Sequence, residues 1–239
     1  MLELTKTYDR SGESEITVVF LHGIAASSKS FAGLLEYLSG KEDLRRLRFV
    51  AYDWLGAGES YTSDELEYNY AEQLEALGNS VKRLGDGPLI IVAHSMGTLI
   101  AVRFAEVCER VKGLVLVSPP VYRKEDIENP AFEKAMAGFR EVVGRKADGI
   151  LESKVFNNEI SNIVSNKENY EHLLKVKQPT VLVYGELDQI IAPFNIPKVL
   201  KANGKIRAVK TAGSHGVAHD KYAKIARVLK DFSGEKEVK

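Results

Sequence analysis

The chain has 239 residues, 44% of them hydrophobic, and its 33 Lys and Arg balance 33 Asp and Glu to a formal net charge of zero. That balance excludes the basic footprint of a nucleic-acid binder and the polybasic segment of a protein held on an anionic membrane; a small molecule is the expected partner. Cys108 is the only cysteine, which excludes an internal disulfide framework and any multi-cysteine metal site and points to a reducing, cytoplasmic setting.

The elements follow in chain order from short apolar runs bounded by Gly, Pro or Asp. "EITVVFLHG" (15–23) reads as a strand, "SFAGLLEYLSG" (30–40) as a helix, and "LRFVAYD" (47–53) as the next strand. "YAEQLEALGNSVKRLG" (70–85) has helical periodicity, "PLIIVAH" (88–94) is a strand, "MGTLIAVRFAEVC" (96–108) a helix, and "GLVLVSPP" (113–120) a strand. The last third repeats the rhythm with strand "PTVLVYGE" (179–186), helix "FNIPKVLKANG" (194–204), strand "KIRAVKTAG" (205–213) and helix "KYAKIARVLKDF" (221–232). Most strand runs are apolar on both faces, as strands covered by helices on both sides must be. The expected class is therefore α/β, a doubly wound and mostly parallel sheet.

One interval breaks the alternation. Residues 121–176 hold no strand pattern, only polar helical stretches such as "AFEKAMAGFREVVG" and "KENYEHLLKVK". An insertion of that size reads as a helical lid over the carboxyl edge of the sheet, where open α/β folds bind ligands. Residues 1–120 and 177–239 would form the core. Phe132, Met136 and Phe139, at i, i+4 and i+7, share one helix face, expected to look down on the site and to bind substrate. Phe132, Phe139, Phe156 and Tyr170 are candidates either for an acyl pocket or for plain helix packing. No apolar run reaches the ~18 residues that would span a bilayer, the N-terminus "MLELTKTYDRSGESE" is too polar for a signal peptide, and the tail "SGEKEVK" should fray. A soluble protein without stable membrane association is expected; oligomeric state is left open.

Ser95 stands between the strand "PLIIVAH" and the helix "GTLIAVRFA", with small residues Ala93 and Gly97 two positions to either side. That is the strand-turn-helix setting of a nucleophile elbow, with Ala in place of the first Gly of G-x-S-x-G. A hydroxyl needs a base to take its proton, and "TAGSHGVAHD" supplies His215, with His219 as a competitor. Asp188 in "VYGELDQIIAP" can orient the imidazole, giving the order Ser, Asp, His. His94 reads as packing and hydrogen bonding. Asp53 with Gly56 and Gly58 reads as a supporting turn, since a third glycine and a phosphate loop are lacking. Cys108 reads as a core residue.

Four segments in order, "FLHGIAAS", "YDWLGAGES", "AHSMG" and "GELDQIIAP", resemble the His-Gly oxyanion loop, the D-x-x-G-x-G-x-S stretch, the elbow and the acid loop of the α/β-hydrolase superfamily, in its lidded esterase-like branch. The resemblance implies an oxyanion hole from the backbone N–H groups of Ile24 and Met96, a structural role for His22, and a lid inserted after strand 6. It also implies an opening hairpin shortened to one strand, "LELTKTY", and a histidine set in Gly-Ser-His where the family usually has Gly-x-Gly-His. The implied activity is a carboxylesterase-like serine hydrolase of small or medium esters, with no metal and no organic cofactor. A thioesterase, a carbon-carbon bond hydrolase or a perhydrolase would carry the same triad, and a non-catalytic ligand-binding relative would share the fold. A serine at the elbow argues against the dehalogenase and epoxide-hydrolase members, which carry aspartate there.

Overall fold

The computed structural model describes residues 1–146, 153–216 and 221–234. Its sheet has the strand order β1-β3-β2-β4-β5-β6-β7, where β1 is Thr5–Arg10, β2 Thr17–Leu21, β3 Arg48–Asp53, β4 Leu89–His94, β5 Val111–Val117, β6 Thr180–Gly185 and β7 Ile206–Thr211. β1 pairs antiparallel with β3, and every other pairing is parallel. The apolar strand runs take their places because alternate side chains face opposite layers. Val19, Leu21, Ile91, Leu116 and Leu182 point to one face, and Val18, Phe20, Val92, Val115 and Val183 to the other.

Helices cover both faces. α1 (Ala32–Ser39) and the C-terminal helix, α9 (Tyr222–Ser233), supply Leu34, Leu38, Ile225 and Leu229 to the second layer. α2 (Tyr70–Lys82), α3 (Met96–Val107) and α8 (Ile196–Ala202) supply Leu77, Ile100, Phe104 and Val199 to the first. Each such side chain, fully buried, contributes about 1.5–3 kcal/mol of transfer free energy. α2 starts at Asn69, whose side chain accepts from the Glu72 N–H at 3.1 Å while the Glu72 carboxylate accepts from the Asn69 N–H at 3.2 Å. This reciprocal box satisfies two otherwise orphaned donors.

Between β5 and β6 come α4 (Lys124–Ile127), α5 (Pro130–Lys146), α6 (Ser153–Glu159), a π-helical turn (Ile160–Val164) and α7 (Asn169–Leu174). None of the described residues in 121–176 forms a strand. The insertion follows the fifth strand of the chain and not a sixth, because only β1 precedes β2. The preceding strand, expected to run to Pro120, stops at Val117, where Ser118 turns the backbone to φ 47°. Cys108 is corrected too: it lies just beyond the end of α3, only partly buried, and packs against the core from outside it.

Parallel pairing gathers the carboxyl ends of the central strands. Leu21 pairs with Ala93, His94 with Val117, Val117 with Val183, and Gly185 with Thr211. The loops beginning at residues 22, 95, 118, 186 and 212 therefore leave the sheet along one edge.

Candidate active site

Ser95 joins β4 to α3 with φ 50° and ψ −123°, backbone angles that an L-residue adopts only under constraint. Its N–H donates to the Val117 carbonyl at 2.9 Å, which ties the turn to β5. Two residues on, a Cβ at Gly97 would stand 2.4 Å from the His22 carbonyl oxygen and 2.8 Å from that of Leu21. Glycine is required there because helix and strand backbones touch; on the strand side Ala93 is buried.

The edge loops deliver the other two residues. His215 Nε2 lies 2.9 Å from Ser95 Oγ, and His215 Nδ1 lies 2.9 Å from Asp188 Oδ2. Asp188 is buried, and its Oδ1 accepts from the Ile190 N–H at 2.9 Å. With a carboxylate on the Nδ1 side, the Nδ1–H tautomer is favoured, and Nε2 keeps a lone pair facing the hydroxyl. The arrangement can draw a proton from Ser95 and return it to a leaving group. His219, the competing histidine, lies outside the described residues.

The loop after β2 is built to stay put. His22 is buried, and burial lowers its pKa, keeping the ring neutral. Its Nδ1 donates to the Gly23 carbonyl at 2.8 Å, while Nε2 accepts from the Trp54 N–H at 3.0 Å. The Trp54 indole N–H donates to the His22 carbonyl at 2.8 Å. Asp53 accepts from the Ser28 N–H at 2.6 Å and from the Glu59 N–H at 2.8 Å, so one buried carboxylate fastens both the 22–28 loop and the 53–60 turn. Gly58, at φ 55°, leaves room for it: a Cβ there would stand 2.0 Å from Asp53 Oδ2.

Ile24 follows Gly23, where a Cβ would stand 3.0 Å from Ser95 Cβ, and precedes Ala25, held at φ 51°. Met96 is the first residue of α3, where an N–H has no acceptor within the helix. Both backbones thus lie close to Ser95.

In the insertion, Phe132, Met136 and Phe139 share the inward side of α5, with Glu133, Lys134 and Ala137 exposed. Met136 is buried in the core cluster. Phe139 packs on Phe156 with ring centroids 6.2 Å apart, and Phe132 meets the Tyr122 ring edge-on at 4.8 Å. Tyr170 packs partly buried against the same cluster. A cavity of about 510 Å³ lined by Tyr122, Phe132, Ala135, Pro193 and Phe194 reaches Asp188. A larger hollow of about 620 Å³, lined by Thr17, Arg48 and Pro88, lies at the amino ends of β2, β3 and β4, away from this edge. Among the described residues no group of His, Cys, Asp and Glu is placed to hold a metal ion, and no helix is long and apolar enough to cross a membrane.

Two buried features, one at the site and one in the insertion, carry little signal in the sequence. Ser118 and His94 both bond the His215 backbone, and Glu159 is a buried carboxyl inside the insertion. "SPP" and "FNNEI" look like an ordinary turn and an ordinary helix face; only the Ser-Pro-Pro break marks the end of β5.

The model of the alpha/beta hydrolase fold family matches residues 16–159. BODYGUARD 5 of Arabidopsis thaliana, provisionally named a lysophospholipase, is 33% identical over 44% of this chain, and the match covers 24% of that protein's length. Esterase/lipase 2 of Mycoplasma pneumoniae, also a provisional name, is 26% identical over 91% of this chain and 87% of its own. Among solved structures, an esterase from Exiguobacterium antarcticum superposes with a TM-score of 0.74 at 17% identity, covering 97% of this chain and 96% of the other.

Proposed function

Since this chain belongs to the α/β-hydrolase fold family, we propose that it is a serine hydrolase cleaving small or medium carboxylic esters through an acyl-enzyme. The observation that carries the reading is the continuous chain from Ser95 Oγ through His215 to Asp188, with both links at 2.9 Å. The esterase and lipase names among the relatives support the same reaction class.

In this reading His215 Nε2 takes the Ser95 proton as Oγ attacks the ester carbonyl, and Asp188 stabilises the imidazolium. The oxygen gains its negative charge beside the backbone N–H groups of Ile24 and Met96, and each such donor lowers the barrier by about 3 kcal/mol. His215 returns the proton to the alcohol as the carbon-oxygen bond breaks. Water then gives a proton to the same nitrogen and attacks the acyl carbon; as the acyl bond to Oγ breaks, His215 returns that proton to Ser95 and the acid departs. No step calls for a metal or an organic cofactor.

Residues 121–176 act as the lid in this proposal. The cavity walled by Phe132, Tyr122 and Phe194 would take an apolar portion of the substrate, and Met136 and Phe139 would hold α5 in place above it. The test is fluorophosphonate labelling with turnover of p-nitrophenyl esters of graded chain length. Ser95→Ala is expected to abolish labelling and to reduce turnover by ~10⁵-fold or more. Labelling that persists at another residue overturns the assignment.

A further inference from the structure

The His215 side chain faces Ser95 and Asp188, but its main chain is held from a different direction. The backbone carbonyl of His215 lies 3.1 Å from His94 Nε2 and 3.2 Å from Ser118 Oγ. A carbonyl oxygen only accepts, so the His94 Nε2–H and the Ser118 hydroxyl both donate to it. His94 is the last residue of β4 and Ser118 the first after β5, so adjacent strand ends converge on one atom. The His94 ring also packs on the His215 ring, with centroids 5.0 Å apart and planes at 47°.

Ser118 does not reach this bond in relaxed geometry. It is wholly buried, its φ is 47°, and its own N–H donates to the Val183 carbonyl at 2.8 Å. Glycine would suit that backbone better, yet the position carries a hydroxyl, and the hydroxyl is spent on the His215 carbonyl. The third neighbouring strand adds contact: a Cβ at Gly185 would stand 2.3 Å from the Gly213 oxygen and 2.6 Å from that of Ser214. The loop bearing His215 is thus pressed on the end of β6 and pinned by donors from the ends of β4 and β5.

We propose that Ser118 and His94 are positioning residues for the base: they clamp the His215 main chain so that the imidazole, tied to Asp188 at one nitrogen, presents the other to Ser95. The proposal rests on the assignment of Ser95, His215 and Asp188 made above. With the carbonyl released, the loop can shift while the Asp188 bond survives. A displacement of about 1 Å between reacting groups lowers the rate about 100-fold, and partial loss of the clamp about tenfold.

The test separates the hydroxyl from the strained backbone. Ser118→Gly removes the donor and relieves the positive φ, whereas Ser118→Ala removes the donor and keeps the strain. Both are expected to lower kcat for p-nitrophenyl acetate and the fluorophosphonate labelling rate about tenfold, with KM within about twofold. Ser118→Gly should unfold at the wild-type temperature or above it, and Ser118→Ala no higher than wild type. His94→Phe should lose rate similarly, and His94→Gln, which can put an N–H near the same point, should recover part of it. A Ser118→Gly protein as fast as wild type overturns the proposal, and so does a loss of rate that merely follows loss of stability across the variants. If His94→Phe does not fold, the two Ser118 variants decide alone. Ser95→Ala in the same assays keeps the readings apart: labelling that survives it sinks the serine-hydrolase assignment. Lost labelling with fully active Ser118 and His94 variants removes the clamp only.

Discussion

Glu159 should make the stability of this protein fall as pH rises across the neutral range. It ends α6 with Val155 one turn before it and Ile163 one turn after it on the same face, both wholly buried, and it is itself 1% exposed. Among the described residues neither carboxyl oxygen has a hydrogen-bond partner, and burial pushes its pKa from the ordinary 4.5 up to about 8. A carboxyl whose folded pKa lies above its unfolded value binds its proton more tightly in the native state. Its contribution is fully present below pH 4.5 and is lost as pH rises to about 8. At about 1.4 kcal/mol for each pH unit, the whole interval is worth about 5 kcal/mol, a large share of the stability of an ordinary domain. Denaturant unfolding followed by the fluorescence of buried Trp54 at several values between about pH 4.5 and about pH 9, for wild type and Glu159→Gln, measures it. The amide does not titrate, so the wild-type curve should fall away from the variant's by several kcal/mol and run level with it above pH 8. Two curves that stay parallel across the range would refute the reasoning, because a carboxyl kept from water beside buried Val155 and Ile163 must show this linkage.

Three other outcomes are expected. His215→Ala should be nearly as damaging to ester turnover as loss of Ser95, while His219→Ala should leave most of the rate, and steady-state kinetics on the two variants ranks them. Gly97→Ala would press a methyl against the His22 carbonyl, a backbone atom that cannot swing aside, and should cost about 1–3 kcal/mol in thermal unfolding along with a loss of activity. Phe139→Ala should alter chain-length preference among p-nitrophenyl esters and leave acetate turnover within about tenfold, since its ring packs on Phe156 and not on the hydrogen-bonded chain at Ser95.

Much of this protein was legible in the chain itself because the physics involved is local. Strands apolar on both faces, such as "TVVFL" and "LIIVAH", can be stable only between two helical layers, so α/β layering follows from composition along the run. Small residues around Ser95 announce a tight strand-to-helix turn, since nothing bulkier than Gly97 fits against the His22 and Leu21 carbonyls. The delivery of Ser95, Asp188 and His215 to one edge follows once β4, β6 and β7 lie in one parallel sheet, because parallel strands send the loops at their carboxyl ends the same way. What depends on pairs distant in sequence had to wait for the tertiary structure. The bond between His215 and Ser95 joins residues 120 positions apart, and no local pattern chooses between the imidazoles of His215 and His219. Ser118 looks like a turn serine until its hydroxyl is seen on a carbonyl 97 residues away, and the early end of β5 follows from its positive φ. Glu159 looks like one more solvated charge in a polar helix; only the packing of the insertion on the core takes it out of water, and burial is a property of the neighbours, not of the residue.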